Sequence, residues 1–130
     1  MRVRLLPALV LALAAAGCSK GVVPVTGKLS LGSVPAGDVM VSLCPVDPES
    51  GCKVAHGGTD PEGKFVLYTL PDEGVMPGEY KIKLQPPAVG PSARLVPKRF
   101  TDVTTTPWRV TVPASGGLEL HLDLGKNEVQ

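Results

Sequence analysis

The chain of 130 residues contains three cysteines, and their thiols offer the widest range of chemistry. A thiol can be joined to a lipid, oxidised to a disulfide or, as the thiolate, bind a metal. Cys18 follows Gly17 directly at the end of an apolar run, whereas a turn-rich segment separates Cys44 from Cys52. No Cys-x-x-Cys pattern indicates a redox site. The position of Cys18 therefore supports the most specific prediction.

The segment that ends at Cys18 predicts export and lipid attachment. Residues 1–17 have a basic start, an apolar run and small residues at the end, which are features of a cleaved signal. The run is shorter than the about 20 apolar residues of a membrane span. The string Leu-Ala-Ala-Ala-Gly-Cys resembles the lipobox of bacterial lipoproteins, although Ala15 stands where leucine is usual. The alternative is an ordinary secretory signal that leaves Cys18 as a free thiol, and both interpretations export the protein.

Removing residues 1–17 would leave 113 of the 130 residues, which is enough for one domain. The 13 basic residues fall to 11 against 12 acidic ones, because Arg2 and Arg4 leave with the signal. This balance argues against a nucleic-acid partner and against electrostatic membrane docking. We therefore expect the membrane contact to come from the N-terminal lipid, with more than one acyl chain. An aspartate directly after the lipidated cysteine could retain the protein at an inner membrane. Ser19 occupies that position here, which favours the outer membrane or cell surface.

Short segments in which apolar and polar residues alternate dominate the rest of the chain and predict an all-β fold. Fifteen glycines, fourteen prolines and few aromatic residues favour strands joined by turns. Because successive side chains of a strand point to opposite faces, each segment has one core-facing side and one solvent-exposed side. Seven such segments predict a seven-stranded antiparallel β-sandwich. They lie at 23–31, 39–44, 52–58, 64–70, 80–85, 108–113 and 118–124.

Four motifs occur in order along the predicted strands and turns: Val25–Lys28, Val34–Gly37, Thr59–Phe65 and Pro77–Ile82. The turn Asp60-Pro61-Glu62-Gly63 within the third has the proline and glycine preferences of a type I turn. Together the motifs resemble the carboxypeptidase regulatory-like domain, a transthyretin-like and broadly Ig-like β-sandwich. Thr105-Thr106-Pro107-Trp108 is similar to the final part of the pattern seen in short bacterial lipoproteins that contain one such domain.

The resemblance spans about residues 22–124 and sets the expected domain organisation. Residues 1–17 are the signal, 18–21 the lipidated start and short linker, 22–124 the β-sandwich and 125–130 a tail. Related domains are non-catalytic companions, spacers, adhesion modules or glycan-binding modules, and the resemblance transfers no functional residue. The hydroxyisourate hydrolases, a transthyretin-like enzyme group, end in Tyr-Arg-Gly-Ser, whereas this chain ends in Gly-Lys-Asn-Glu-Val-Gln.

Cys44 and Cys52 are the remaining thiols, and two interpretations stay open for them. They would form a disulfide across the intervening loop in an oxidising compartment, or remain two reduced cysteines at strand ends. The two histidines, His56 and His121, lie in different predicted strands. His121 shares a predicted face with Glu119 and Asp123, but a solvated strand face explains this stripe better than a metal site. Acidic pairs at 47/49 and 60/62 fit turns, so we expect no metal and no cofactor.

A long proline-rich segment from Pro86 to Thr106 is the remaining candidate for binding. It carries Arg94, Lys98 and Arg99 beside Phe100. Connections of this length are often functional, so one interpretation is contact with an acidic or glycan partner. The competing interpretation, which we favour, is a stiff crossover between the sheets with Leu95, Val96 and Phe100 packed as a lid.

These observations together predict an exported, lipid-anchored and non-catalytic module of the bacterial cell envelope with a structural or binding role. The main alternative is a periplasmic accessory subunit that docks on another exported protein. An exposed apolar strand edge or face would favour that alternative. A small hydrolase would need a polar pocket in which histidine or carboxylate groups converge. The sequence contains no Gly-x-Ser-x-Gly string or zinc-ligand string that would indicate one.

Overall fold

The computed structural model describes residues 21–129, and these fold into an all-β domain with two sheets. Two short 3₁₀ turns, Pro91–Arg94 and Lys98–Thr101, interrupt the long connection before the last two strands. No helix within residues 21–129 is long and apolar enough to span a membrane. The strands are β1 (Val25–Leu31), β2 (Val34–Pro35), β3 (Met40–Pro45), β4 (Ala55–Gly58), β5 (Lys64–Val66), β6 (Tyr68–Thr69), β7 (Asp72–Glu73), β8 (Gly78–Gln85), β9 (Arg109–Val112) and β10 (Leu118–Asp123).

The two sheets differ in size and in the direction of one strand pair. The first sheet has the order β10-β1-β2, with β5 also paired to β1, and the second has the order β7-β6-β4-β3-β8-β9. β1 and β10 run parallel, from Val25 opposite Leu118 to Ser30 opposite Asp123. The expectation of a purely antiparallel sandwich is therefore wrong at this pair. β10 follows β9 of the other sheet and is not joined to β1 by a hairpin, so no turn requires antiparallel pairing.

Each of the seven predicted strand segments contains a strand, but the described domain has ten strands, so the predicted count is wrong. The segment 64–70 is divided because the chain changes sheets there. The Leu67 N–H donates to the Val25 carbonyl of the first sheet at 3.0 Å, whereas Tyr68 pairs with His56 of the second sheet. β2 and β7 add two short hairpin partners that lack an alternating apolar pattern.

The core forms between the sheets from the predicted inward-facing residues. Val41 and Leu43 of β3 pack with Ile82 and Leu84 of β8, and all four are fully buried. Leu120 and Leu122 of β10 belong to the same continuous cluster as these residues, an arrangement consistent with a β-sandwich. Leu31 was predicted to face the core but is 37% exposed, because β1 ends there in the turn at Gly32.

Aromatic side chains fix the long connection and the strand that follows it. The Phe100 and Trp108 rings are both fully buried, with centroids 4.2 Å apart. The Trp108 indole N–H donates to the Lys126 carbonyl at 2.9 Å, which ties the C-terminal segment to β9. The Tyr80 hydroxyl donates to the Met76 carbonyl at 2.7 Å, four residues upstream. This bond resembles the tyrosine corner of β-sandwiches, and burial raises the pKa of Tyr80 to about 12.

The strand register defines the two ends of the domain. At the end where β1 begins, Val23 bridges to Val75 and Gly78 lies opposite Val112. We call this the anchor end, because the N-terminal segment enters the domain there. At the opposite, distal end, the Leu29 N–H donates to the Gly63 carbonyl at 2.8 Å. The connection that follows Gln85 also starts distally, because Gln85 pairs with Met40.

Candidate functional site

The predicted lipidation residue, Cys18, lies outside the described residues, as do the signal 1–17 and Ser19. Lipid attachment there stays a prediction. The described domain begins close by, since Val23 already exchanges two backbone hydrogen bonds with Val75, both at 2.9 Å. Any lipid on Cys18 would therefore be joined to the folded domain by only a few residues.

Of the two interpretations left open for Cys44 and Cys52, a disulfide between them is not formed, because Cys44 is a free thiol. Cys44 lies on β3 opposite Lys81, on the outer side of its sheet, since its neighbour Leu43 faces the core. The sulfur of Cys52 lies 3.8 Å from the Pro77 carbonyl oxygen, beside the turn that precedes β8. Burial raises the pKa of the Cys44 thiol, and the nearby Lys83 charge opposes this only in part. The Cys44 thiol therefore stays protonated at neutral pH and is a poor nucleophile.

The two histidines lie in different sheets and have separate partners. The Nδ1 atom of His56 on β4 is 2.9 Å from the Ser42 hydroxyl oxygen, and the Nε2 atom of His121 on β10 is 3.5 Å from Glu119. Asp123 does not join His121, because its carboxylate accepts the backbone N–H groups of Gly32 and Gly125. Within residues 21–129, no group of three or more histidine, cysteine, aspartate or glutamate side chains could hold a metal ion.

Both acidic pairs lie in turns in which backbone N–H groups donate to the aspartate carboxylate. The Asp47 carboxylate accepts the N–H of Glu49 at 2.9 Å. The Asp60 carboxylate accepts the N–H groups of Glu62 and Lys64, each at 2.9 Å. These bonds are Asx-turns, which account for the aspartates through local backbone structure.

The proline-rich segment joins β8 to β9, which are antiparallel neighbours in the second sheet. The expectation of a crossover between the sheets is therefore wrong, because both ends of the segment belong to the same sheet. Phe100 is fully buried against Trp108 and Val96 is nearly so, whereas Arg94 and Lys98 are exposed. The Arg99 guanidinium lies 4.6 Å from the centroid of the Phe100 ring and covers it. Phe100 and Val96 are thus packed in the core, as that interpretation expected of them. Partner binding by the three basic side chains stays a prediction.

The sequence did not indicate a surface groove of about 650 Å³ that the described residues form. We call it the glycine groove, because Gly27, Gly57 and Gly58 line it. It lies where the outer face of β10, β1 and β5 meets β4 and β6. Its further lining includes Thr26, Lys28, Asp60, Tyr68, Glu119 and His121.

The glycines are required by the way the two sheets approach each other. A side chain on Gly57 would clash with the Val66 carbonyl, and one on Gly27 would clash with the Phe65 ring. A Cβ on Gly58 would meet nothing within 4 Å, so this position faces open space. Two consecutive glycines in a predicted strand signal close backbone approach. That signal at 57–58 could have revealed the groove.

The charged groups that line the groove balance one another. Lys28 lies between His121 and Lys64 in the cross-strand register, so three nitrogen-bearing side chains form one row on the sheet. Asp60 and Glu119 provide the carboxylates. The two lysines of the lining offset its two carboxylates. The groove thus offers strong hydrogen-bond donors and acceptors but little net charge.

Comparisons with protein-family models, curated proteins and solved structures found no match for this chain. The family resemblance therefore depends on motifs within the chain itself. One is the turn in which the Gly63 N–H donates to the Asp60 carbonyl at 2.8 Å, with Gly63 at a φ of 81°. Another is the Pro77-Gly78 turn that precedes the buried Tyr80.

Proposed function

We propose that the protein is an exported, lipid-anchored and non-catalytic module of the bacterial cell envelope, with a binding role. In this proposal its domain has the transthyretin-like sandwich of the carboxypeptidase regulatory-like group. The lipid attaches to Cys18, and Ser19 directs the protein to the outer membrane or cell surface. The observation that carries the proposal is the lipobox-like string that ends at Cys18, followed almost immediately by a folded domain.

The geometry of the anchor end supports this proposal. The bridge between Val23 and Val75 begins the domain five positions after Cys18. A chain of this length spans at most about 3.6 Å per residue, so the anchor end would lie within roughly 20 Å of the lipid.

The positions of the polar side chains favour a binding role over catalysis. His56 and His121 belong to different sheets, and only His121 lines the glycine groove. His56 contacts the Ser42 hydroxyl, but Ser42 is only 5% exposed and gives a substrate little access. A small hydrolase is therefore the weakest of the three alternatives.

A periplasmic accessory subunit remains the second candidate function. The specific observation that favours it is the turn between β1 and β2, where Leu31 and Val34 are both exposed. The edge strand β10 argues against strand-to-strand docking, since it carries the exposed carboxylate of Glu119. Charged residues on an edge strand discourage pairing with another chain.

Metabolic labelling with an alkyne-bearing fatty acid tests the proposal in bacterial cells that express the full chain. We expect a labelled protein in the membrane fraction and loss of the label in Cys18→Ala. The matched control is Cys44→Ala, which removes the free thiol in β3 and should retain the label. Label that persists in Cys18→Ala, or wild-type protein found only in the soluble fraction, would contradict the proposal.

A further inference from the structure

The glycine groove has the size and position of a ligand site. Its volume of about 650 Å³ lies within the usual range for small-molecule pockets, about 300–1,000 Å³. Gly58 leaves space where a strand would normally project a side chain, because a Cβ there would meet nothing within 4 Å. The close approach of Gly57 to Val66 keeps the two sheets together at this point. The concavity is thus formed mainly by strands, and Asp60 of the turn after β4 also lines it.

The polar lining suits a ligand whose groups both donate and accept hydrogen bonds. Lys28 and Lys64 provide ammonium donors, and Asp60 and Glu119 provide carboxylate acceptors. Thr26 adds a hydroxyl that can do either. A hydroxyl-rich ligand matches such a mixed lining, because each of its hydroxyl groups can pair with either kind of side chain. The offsetting charges give no preference for a strongly charged ligand.

Tyr68 adds an aromatic surface beside the glycines. Its side chain is 40% exposed, and it lies opposite His56 on the neighbouring strand. An exposed tyrosine combines an apolar ring with a polar tip. The C–H face of a sugar ring can pack on such a ring while its hydroxyl groups reach the charged side chains. Nucleic acids fit less well, because the charges of the lining are too balanced to neutralise phosphate groups.

We propose that the glycine groove binds an uncharged saccharide chain, with Tyr68 under one sugar ring and with Lys28, Asp60 and Glu119 bonded to its hydroxyl groups. This inference rests on the proposed function as an envelope binding module and names its ligand class. It differs from the glycan-binding hypothesis for Arg94, Lys98 and Arg99, which concerns the distal end. The groove is open to solvent, so the ends of a longer chain could extend beyond it.

Titration of the full-length mature protein in detergent micelles tests this inference. The probes are neutral hexasaccharides of glucose, mannose, galactose and N-acetylglucosamine, with hexagalacturonate as the charged comparison. We expect at least one neutral probe to bind, and to bind more tightly than hexagalacturonate. No binding of any neutral probe, or preference for the charged one, would overturn the inference.

Two substitutions locate the binding in the groove. Gly58→Trp places a bulky ring where a Cβ would meet nothing within 4 Å, and Tyr68→Ala removes the Tyr68 ring. Each should weaken saccharide binding at least tenfold, with an unchanged thermal midpoint to confirm folding. The matched control is Val89→Trp, because Val89 is 81% exposed outside the groove and should leave binding unchanged. Binding that survives both groove substitutions would overturn the inference.

The outcomes distinguish this inference from the function on which it rests. Fatty-acid labelling at Cys18 does not depend on the groove. A lipidated protein that binds none of the neutral probes would refute the saccharide site and leave the anchored module intact. An unlabelled protein that still binds a neutral probe would refute lipid anchoring at Cys18 and leave the saccharide site supported.

Discussion

Replacing Thr59 with valine removes one buried hydroxyl while almost conserving the shape of the side chain. The Thr59 hydroxyl accepts the Val39 N–H at 2.9 Å and donates to the Ala36 carbonyl at 2.7 Å. Thr59 is only 8% exposed, so water cannot readily replace these bonds. Each unsatisfied buried group costs about 1–3 kcal/mol. With two groups affected, we expect the free energy of unfolding to fall by roughly 2–4 kcal/mol.

Urea unfolding of the mature protein, followed by tryptophan fluorescence, measures this loss, because Trp108 is the only tryptophan and is fully buried. An m-value of about 1.5 kcal/mol/M converts a loss of about 3 kcal/mol into a fall of about 2 M in the midpoint. The matched control is Thr111→Val on the exposed side of β9, which should change stability by less than about 0.5 kcal/mol. Equal midpoints for the two variants would refute the role assigned to the Thr59 hydroxyl.

Three further predictions follow from titratable groups and one from ring packing. Because the folded-state pKa of Tyr80 is raised to about 12, the contribution of its protonated hydroxyl to the free energy of unfolding is complete below about pH 10. Stability should fall by about 1–2 kcal/mol between pH 10 and 12, less than the whole shift because solvent near the hydroxyl screens part of it; an alkaline unfolding series in which Tyr80→Phe shows the same slope would contradict this. Hydrogen bonds from Gly125 and Gly32 lower the pKa of Asp123, so its stabilisation should be present at neutral pH and lost as pH falls through the folded-state pKa. Asp123→Asn should flatten the acid limb of the stability profile; an unchanged acid limb would count against it. In the unfolded protein, Cys44 should react with a maleimide without added reductant, because it is a free thiol. In the folded protein the reaction should be slower, because burial raises the pKa of Cys44. Equal rates in the two states, or no more labelling of the wild type than of Cys44→Ala, would contradict this. Phe100→Ala should cost about 3–5 kcal/mol, whereas Val89→Ala should have almost no effect on the urea midpoint; similar losses would contradict the core position of Phe100.

The strands could be predicted because their side-chain pattern depends only on local geometry. Alternation with period two marks the face that must be buried, and it placed Ile82 and Leu84 in the core correctly. Turn residues such as Pro61 and Gly63 marked where one strand ends and the next begins. These signals need no knowledge of which strands become neighbours.

Other features were missed because they arise between distant parts of the chain. The parallel pairing of β1 with β10 and the change of sheet at Leu67 depend on how the two sheets stack. Cys44 and Cys52 are near in sequence, but their sulfurs face different surroundings, which spacing alone does not reveal. The glycine groove combines residues from five strands, so only the two glycines 57–58 gave it a local signal.

Mass spectrometry of the N-terminal peptide of the mature protein, purified from bacterial cells, tests the central claim most directly. The account predicts that this peptide begins at Cys18 and carries a diacylglyceryl group on its sulfur. It also predicts that Cys18→Ala yields no acylated peptide. A mature N-terminus at another residue, or an unmodified Cys18 sulfur, would contradict the lipid-anchored module.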